Sequence, residues 1–222
     1  MASSLYGLAA FLAVLVLMLP LAYYTYTLQK RRAKAYQAFA DSAGYVYVMR
    51  RPGEEVRYAQ MLPMFAQGHS RAWQHEISGR FNGLGFVAFE YVYIVGYGRN
   101  RTVHRQAMLK WESAGARLPQ FTLGPENFFT RIGQAALGWP DIDFADDEPF
   151  SRAYVLKGAD ETAVRALFTP QLRSELAGEK GQHVAGDGPT LFWWRYGGLP
   201  APAGFNDFLT AGDRVRQLFF AG

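Results

Sequence analysis

The sequence predicts an α+β protein: an N-terminal transmembrane helix, then one mainly antiparallel sheet domain with helices concentrated in its C-terminal half. Three observations carry that class. An apolar run from Leu5 to Tyr26 contains no charge and is followed at once by Lys30, Arg31, Arg32 and Lys34. Between Arg71 and Glu112, aromatic and β-branched stretches are broken by Asn82-Gly83 and Gly98-Arg99-Asn100-Arg101, the punctuation of β-hairpins. Further on, apolar residues recur at helical spacing, and strands followed by helices argue α+β rather than a parallel sheet.

The first element follows from bilayer dimensions. A helix rises about 1.5 Å per residue and the hydrocarbon core is about 30 Å thick, so roughly 20 apolar residues suffice to cross. Pro20 inside the run is tolerated in membrane helices. Tyr23, Tyr24 and Tyr26 precede the basic residues, where amphipathic rings favour the headgroup layer. Met1-Ala2-Ser3-Ser4 lacks the basic start of a signal peptide, so an uncleaved anchor is expected over residues 1–28. Positive residues flanking a span stay in the cytoplasm, which places the N-terminus outside an inner membrane and the rest inside. Lys30, Arg31, Arg32 and Lys34 then face anionic lipid headgroups. Residues 29–44, rich in Ala, Lys, Arg and Gln and closed by Gly44, form a basic juxtamembrane helix.

Residues 45–222 make one cytoplasmic domain. Gly44 to Met49 reads as a first strand, and Arg51 to Gly68 as loop or short helix. Arg71–Phe81, Leu84–Tyr97 and Thr102–Glu112 form a meander, and Leu118–Leu123 is a further strand. Glu126–Leu137 looks helical, Ser151–Lys157 extended. Glu161–Ala177 is helical with a break at Pro170. Gln182–Ala185 and Thr190–Tyr196 flank Gly186-Asp187-Gly188-Pro189, a second hairpin signature, and Phe205–Phe220 is a closing helix.

Charge and composition narrow the function. The chain has 23 Lys plus Arg and 19 Asp plus Glu, and four of the basic residues lie in the cluster ending at Lys34. The remainder is balanced, without the basic surplus that nucleic-acid binding uses to displace counterions. Arg99, Arg101, His104 and Arg105 gather at one turn and read as a solvated hairpin tip. The absence of cysteine removes disulfides and thiolate metal sites. No nucleophile elbow, P-loop, dinucleotide fingerprint or zinc-protease motif is present, and no cofactor is expected.

Two segments carry the binding expectations. If Gly98–Arg101 is the turn, Tyr97 faces Thr102, Tyr93 faces Gln106 and Tyr91 faces Met108. One face then carries Phe89, Tyr91, Tyr93, Tyr97, His104, Gln106 and Lys110, and the other Ala88, Glu90, Val92, Ile94, Ala107, Leu109 and Trp111. The tyrosine-rich face, with Tyr91, Tyr93, Tyr97, His104 and Gln106, is the candidate surface for a protein partner; cover by other elements is the competing reading. The acidic segment with Asp141, Asp143, Asp146, Asp147 and Glu148 is the candidate for a hard cation, although Ile142 and Phe144 suggest a loop pinned to the core. The function expected is a membrane-tethered protein-interaction or scaffolding module; the alternative is a metal-dependent hydrolase or metal sensor.

Phe150-Ser151-Arg152, followed by Tyr154, Leu156, Gly158, Asp160-Glu161, Val164-Arg165 and Leu167-Phe168, resembles a family of bacterial single-pass membrane-anchored proteins of uncharacterised activity. An N-terminal span, a tyrosine-rich meander and Ile142-Asp143-Phe144 extend the resemblance over most of the chain. It implies a bacterial inner-membrane setting and supplies no catalytic residues.

Overall fold

A computed structural model describes residues 2–125, 138–179 and 181–220, with the side chains of residues 2–15, of Leu17 and of Pro63 outside that description. The first element, α1 (Ala2–Ala43), is a single helix of 42 residues, about 63 Å long at the ordinary rise, with Pro20 inside it. Its C-terminal part lies on the sheet, while Val16, Met18, Leu19, Leu21, Tyr23, Tyr24 and Tyr26 are all more than half exposed. Among the described residues no helix is long and apolar enough to cross a membrane. The expected span starts at Leu5, and its side chains up to residue 15 and that of Leu17 lie outside the described residues.

Eight antiparallel strands follow: β1 (Val46–Arg50), β2 (His69–Phe81), β3 (Leu84–Val95), β4 (Thr102–Glu112), β5 (Leu118–Gly124), β6 (Val155–Gly158), β7 (His183–Gly188) and β8 (Thr190–Tyr196). They form one sheet in the order β1-β2-β3-β4-β8-β7-β5-β6. The β2–β3 turn is the two-residue Asn82-Gly83 pair, with φ of 47° and 84°, the left-handed geometry that makes Asn-Gly a hairpin signal. The β7–β8 hairpin inserts between β4 and β5, so strands adjacent in sequence are not neighbours there.

Helices α2 (Glu148–Ala153), α3 (Glu161–Leu167), α4 (Pro170–Gly178) and α5 (Phe205–Phe219) complete the described elements. The break expected at Pro170 is present: Thr169 caps α4 by accepting from the Leu172 amide, and the proline sits in its first turn, where its missing N–H costs nothing. The strand expected over Ser151–Lys157 is corrected to the end of α2 plus β6. Asp147 accepts from the Phe150 amide and Pro149 sits in the first turn, which starts a helix. The helix expected over Glu126–Leu137 lies outside the described residues.

Alternation along the strands divides the interior into two layers. Ile77, Phe86, Ala88, Leu109, Trp111 and Trp193 pack beneath α1 and α5, with Phe121 and Val184 against Phe168 and Phe219. On the opposite face, Trp73, Phe89, Tyr91, Tyr93, Phe192 and Trp194 pack under Tyr58, Met61, Leu62, Met64 and Phe65. These last residues belong to the segment between β1 and β2, which folds into two 3-10 turns, Glu54–Tyr58 and Pro63–Phe65. Adjacent Trp193 and Trp194 thus enter opposite layers, as a strand requires.

The α5–sheet contact sets a sharp steric limit at Gly212. A Cβ there would lie 2.4 Å from Leu109 Cδ1 and 2.8 Å from Trp193 Cε3. Gly212→Val is expected to destabilise the domain by about 1–3 kcal/mol through overpacking. Gly115→Ala, where nothing lies within 4 Å of the new Cβ, stays within about 0.5 kcal/mol. Urea unfolding of the full chain in detergent micelles measures both.

Candidate functional site

The polar junction where α1 meets the sheet is the most elaborate cluster among the described residues. Arg32, Tyr36 and Ala40 are four residues apart and so share one helix face. Ala40 and Tyr36 are buried, and Phe39 stacks near Phe205 and Tyr45. Small Ala40 lets the helix approach closely, while Tyr36 and Arg32 project toward β3. The Tyr36 hydroxyl donates to the Leu199 carbonyl at 2.9 Å and accepts from Arg32 Nη2 at 3.0 Å.

Glu90 on β3 is the centre. Its side chain is wholly buried, and its oxygens accept from Arg32 Nη2 at 2.6 Å, Gln74 Nε2 at 2.9 Å, Arg105 Nη1 at 3.0 Å and the Leu199 amide at 3.1 Å. Burial alone would raise its pKa. The Arg32 hydrogen bond and charge, helped by Gln74 and Arg105, outweigh burial and hold the carboxyl below its ordinary value. Arg32 is raised in turn: burial lowers it, and Glu90 more than compensates. With both oxygens taken by donors, Glu90 acts as a clamp on α1 and offers no free lone pair to a substrate. Gly198 closes over it, since a Cβ there would fall 2.3 Å from Glu90 Oε2.

His75 lies beside this clamp. It sits at the irregularity between Gln74 and Ile77 in β2, with φ of 53°, a left-handed conformation uncommon outside glycine. Its Nδ1 shares a 2.8 Å hydrogen bond with the Tyr47 hydroxyl, and its ring is 5.2 Å from that of Tyr36. Burial, then the Arg32 charge, push His75 down and keep it neutral. Burial pushes the Tyr47 phenol up to about 12.

The residues picked out in the sequence are distributed differently from expectation. In the β3–β4 pair Tyr91 faces Gln106, Tyr93 faces His104 and Val95 faces Thr102, two residues from the expected register. The connection is the longer Gly96–Arg101, because Gly96 and Gly98 both take positive φ and a 3-10 turn spans Gly98–Asn100. A shift of two preserves side-chain parity, so the two expected faces are correct. The tyrosine face is not an open binding surface, however. Tyr91 and Tyr93 are buried under the Glu54–Phe65 cover, Gln106 is buried opposite Tyr91, and the Tyr91 hydroxyl donates to the Met64 carbonyl. His104 stacks on Tyr93, and Tyr97 alone of the five is fully exposed, at 78%.

The acidic segment is occupied by cations of the chain itself. Asp141 pairs with Lys157, Glu148 with Arg152, and buried Arg173 reaches both Asp146 and Asp147 at 2.9 Å. Asp143 stays exposed while Ile142 and Phe144 are buried, and Arg173 lies 4.0 Å above the Phe144 ring. Asp147 is held below its usual value by the Arg173 hydrogen bond first, with its helix-capping bond adding to it. Among the described residues no three His, Asp or Glu side chains gather to hold a metal ion. Of the residues expected at a membrane interface, Tyr23, Tyr24, Tyr26, Lys30, Arg31 and Lys34 are exposed. Arg32 is the correction: its guanidinium turns inward to Glu90 rather than outward to headgroups. Glu90, Gln74, His75 and Gly198 were missed by motif reading; the one signal was a carboxylate on the strand face otherwise made of Ala88, Val92 and Ile94.

No protein-family model matches the chain, and no curated protein sequence matches it. Among solved structures, the fold is similar to the crystal structure of the mycobacterial trehalose monomycolate transport factor A, TtfA, with a TM-score of 0.55 at 8% sequence identity. The match covers 85% of this chain and 94% of that one, so the likeness is one of fold along nearly its whole length.

Two outcomes test the junction. Arg32→Ala leaves Glu90 buried with its strongest partner gone and is expected to cost about 3 kcal/mol, read by urea unfolding. The pH dependence follows from the directions of shift. Glu90 and His75 are both depressed in the fold, so each contributes stability that is present above its unfolded pKa and lost as pH falls. The His75 share begins to disappear below about pH 6.5 and the Glu90 share below about pH 4.3. His75→Asn, which tolerates positive φ, is expected to flatten stability between about pH 7.5 and 5.5 relative to the native chain.

Proposed function

We propose that this protein is a membrane-tethered interaction module, in which one continuous helix both anchors the chain and is clamped into the sheet domain. The observation that carries this reading is the uninterrupted course of α1 from its exposed apolar residues, Val16 to Leu28, to the Arg32–Glu90 clamp. An exposed helical surface of Val, Met, Leu and Tyr is costly in water, and the charge-free sequence from Leu5 to Tyr26 is long enough for a bilayer to cover it. Lys30, Arg31 and Lys34 favour an orientation with the sheet domain on the cytoplasmic side.

The clamp gives the tether its purpose. A flexible linker lets a domain wander; a helix locked to the sheet by a buried ion pair presents it at a set height and angle to the bilayer. That is a useful property in a factor that positions a protein partner beside the membrane. The similar fold of a transport factor supports an accessory role of this kind, in transport at a membrane. The metal-dependent alternative has no such support, because four of its five carboxylates, Asp141, Asp146, Asp147 and Glu148, pair with Lys157, Arg173 and Arg152.

Because the chain has no cysteine, single substituted cysteines report topology directly. In bacterial cells, a cysteine at Glu112 is expected to react with a membrane-impermeant maleimide only after the inner membrane is opened, and the chain should resist carbonate extraction. Leu19→Arg, with its charge near the centre of the span, is expected to shift the chain out of the membrane fraction. Labelling of Glu112→Cys in intact cells would overturn the orientation, and extraction of the native chain by carbonate would overturn the anchor.

A further inference from the structure

The turn joining β3 and β4 projects beyond the sheet on its β8 side, while β2 follows β3 as far as Ile94, opposite His69. β3 and β4 pair out to Val95 and Thr102, whereas β8 reaches β4 only as far as Gln106. The hairpin therefore extends four residues past β8, about 13 Å at the ordinary strand rise. Its tip is held firmly. The His69 ring stacks on Tyr97 at 4.5 Å, and its Nε2 donates to the Gly96 carbonyl at 3.0 Å.

The chemistry of the tip is one-sided. Tyr97, Arg99, Arg101 and Val103 are exposed. Arg99 and Arg101 enter none of the ion pairs of the described residues. Neither residues 92–111 nor residues 63–75, which supply the start of β2, contain an aspartate or glutamate. The domain is neutral in total, so this acid-free end is a concentration of charge rather than a sample of the average.

Its direction follows from the contacts of α1. Tyr45, just past the end of the helix, meets Phe86 near the start of β3; Tyr36 meets His75; and Arg32, further toward the N-terminus, meets Glu90. Moving up α1 toward its N-terminus thus moves along β3 toward the tip. From Glu90 to Val95 the strand extends about 17 Å before the turn adds to it, while α1 rises about 12 Å between Arg32 and Tyr24. The end of β3 reaches the level of Tyr24 even if the hairpin leans from the helix axis by about 45°, and the tip lies beyond it.

The geometry points to the Tyr97–Arg101 tip as a second membrane contact, seated on the anionic headgroups of the bilayer that α1 enters. This rests on the proposed anchor. Arginine forks match phosphate oxygens, and an exposed tyrosine beside them suits the interfacial layer. Each arginine is expected to raise the seated over the unseated population about fivefold. Two points of attachment, helix and tip, then restrain how the rigid helix–sheet body sits against the bilayer more tightly than the helix alone does.

The test uses the full chain with Asn100→Cys carrying an environment-sensitive fluorophore, reconstituted into vesicles of phosphatidylcholine alone or mixed with phosphatidylglycerol, each with a headgroup-level quencher lipid. Quenching is expected in the mixed vesicles and much less in neutral ones, and Arg99→Glu with Arg101→Glu should abolish it while the chain stays carbonate-resistant. A chain retained by the vesicles whose label stays in water in both compositions overturns the tip contact and leaves the anchor standing. Equal quenching with and without the two arginines overturns recognition of the headgroup charge. A chain that the vesicles do not retain overturns anchor and tip together.

Discussion

Everything about how this molecule is put together turns on keeping Glu90 charged inside the sheet. A carboxylate with no exposed side-chain surface carries a desolvation penalty of several kcal/mol, and it persists only because Arg32, Arg105, Gln74 and the Leu199 amide converge on its two oxygens. Each of those partners comes from a different element: α1, β4, β2 and the loop after β8. With β3 itself, the ion pair is thus a lock among five pieces of chain, the farthest 109 residues from Glu90. An apolar residue at position 90 would remove the penalty and also the reason for α1 to take one defined seat.

Around that lock the two hydrophobic layers are arranged asymmetrically. One is covered by helices, with Gly212 permitting α5 to lie almost on Leu109 and Trp193. The other is covered by a segment with almost no regular structure, held by Tyr58, Met61, Leu62, Met64 and Phe65 against stacked Trp73 and Phe89. Lys110 closes its edge by donating to the Tyr58 hydroxyl and to Glu112. The sheet is therefore buried on both faces, which is why its tyrosines serve packing, and why the exposed chemistry is pushed to the ends of strands and to α1.

Local signals were legible in the sequence, and long-range ones were not. Asn82-Gly83 announced its hairpin because only left-handed residues fit that turn. Pro170 announced the break between α3 and α4, and the alternation from Ala88 to Trp111 sorted two faces correctly despite a register two residues off. Nothing local shows that β8 pairs with β4, since that depends on which surfaces remain unpaired after the meander closes. The same blindness hid the site. Arg32 reads as one of four juxtamembrane cations, and only the fold reveals that its i+4 neighbour Tyr36 and the distant Glu90 draw it inward. The acidic segment misled in the opposite way, because the cations that occupy it, Lys157 and Arg173, lie 16 to 27 residues away.

The central claim is that the clamp makes helix and sheet one rigid body. Distance distributions between spin labels at Thr27→Cys on α1 and Glu112→Cys at the far end of β4 measure this directly in lipid nanodiscs. One narrow distance is expected for the native junction, broadening when Glu90→Gln removes the charge that holds Arg32. A broad distribution already present with Arg32 and Glu90 intact would contradict the account.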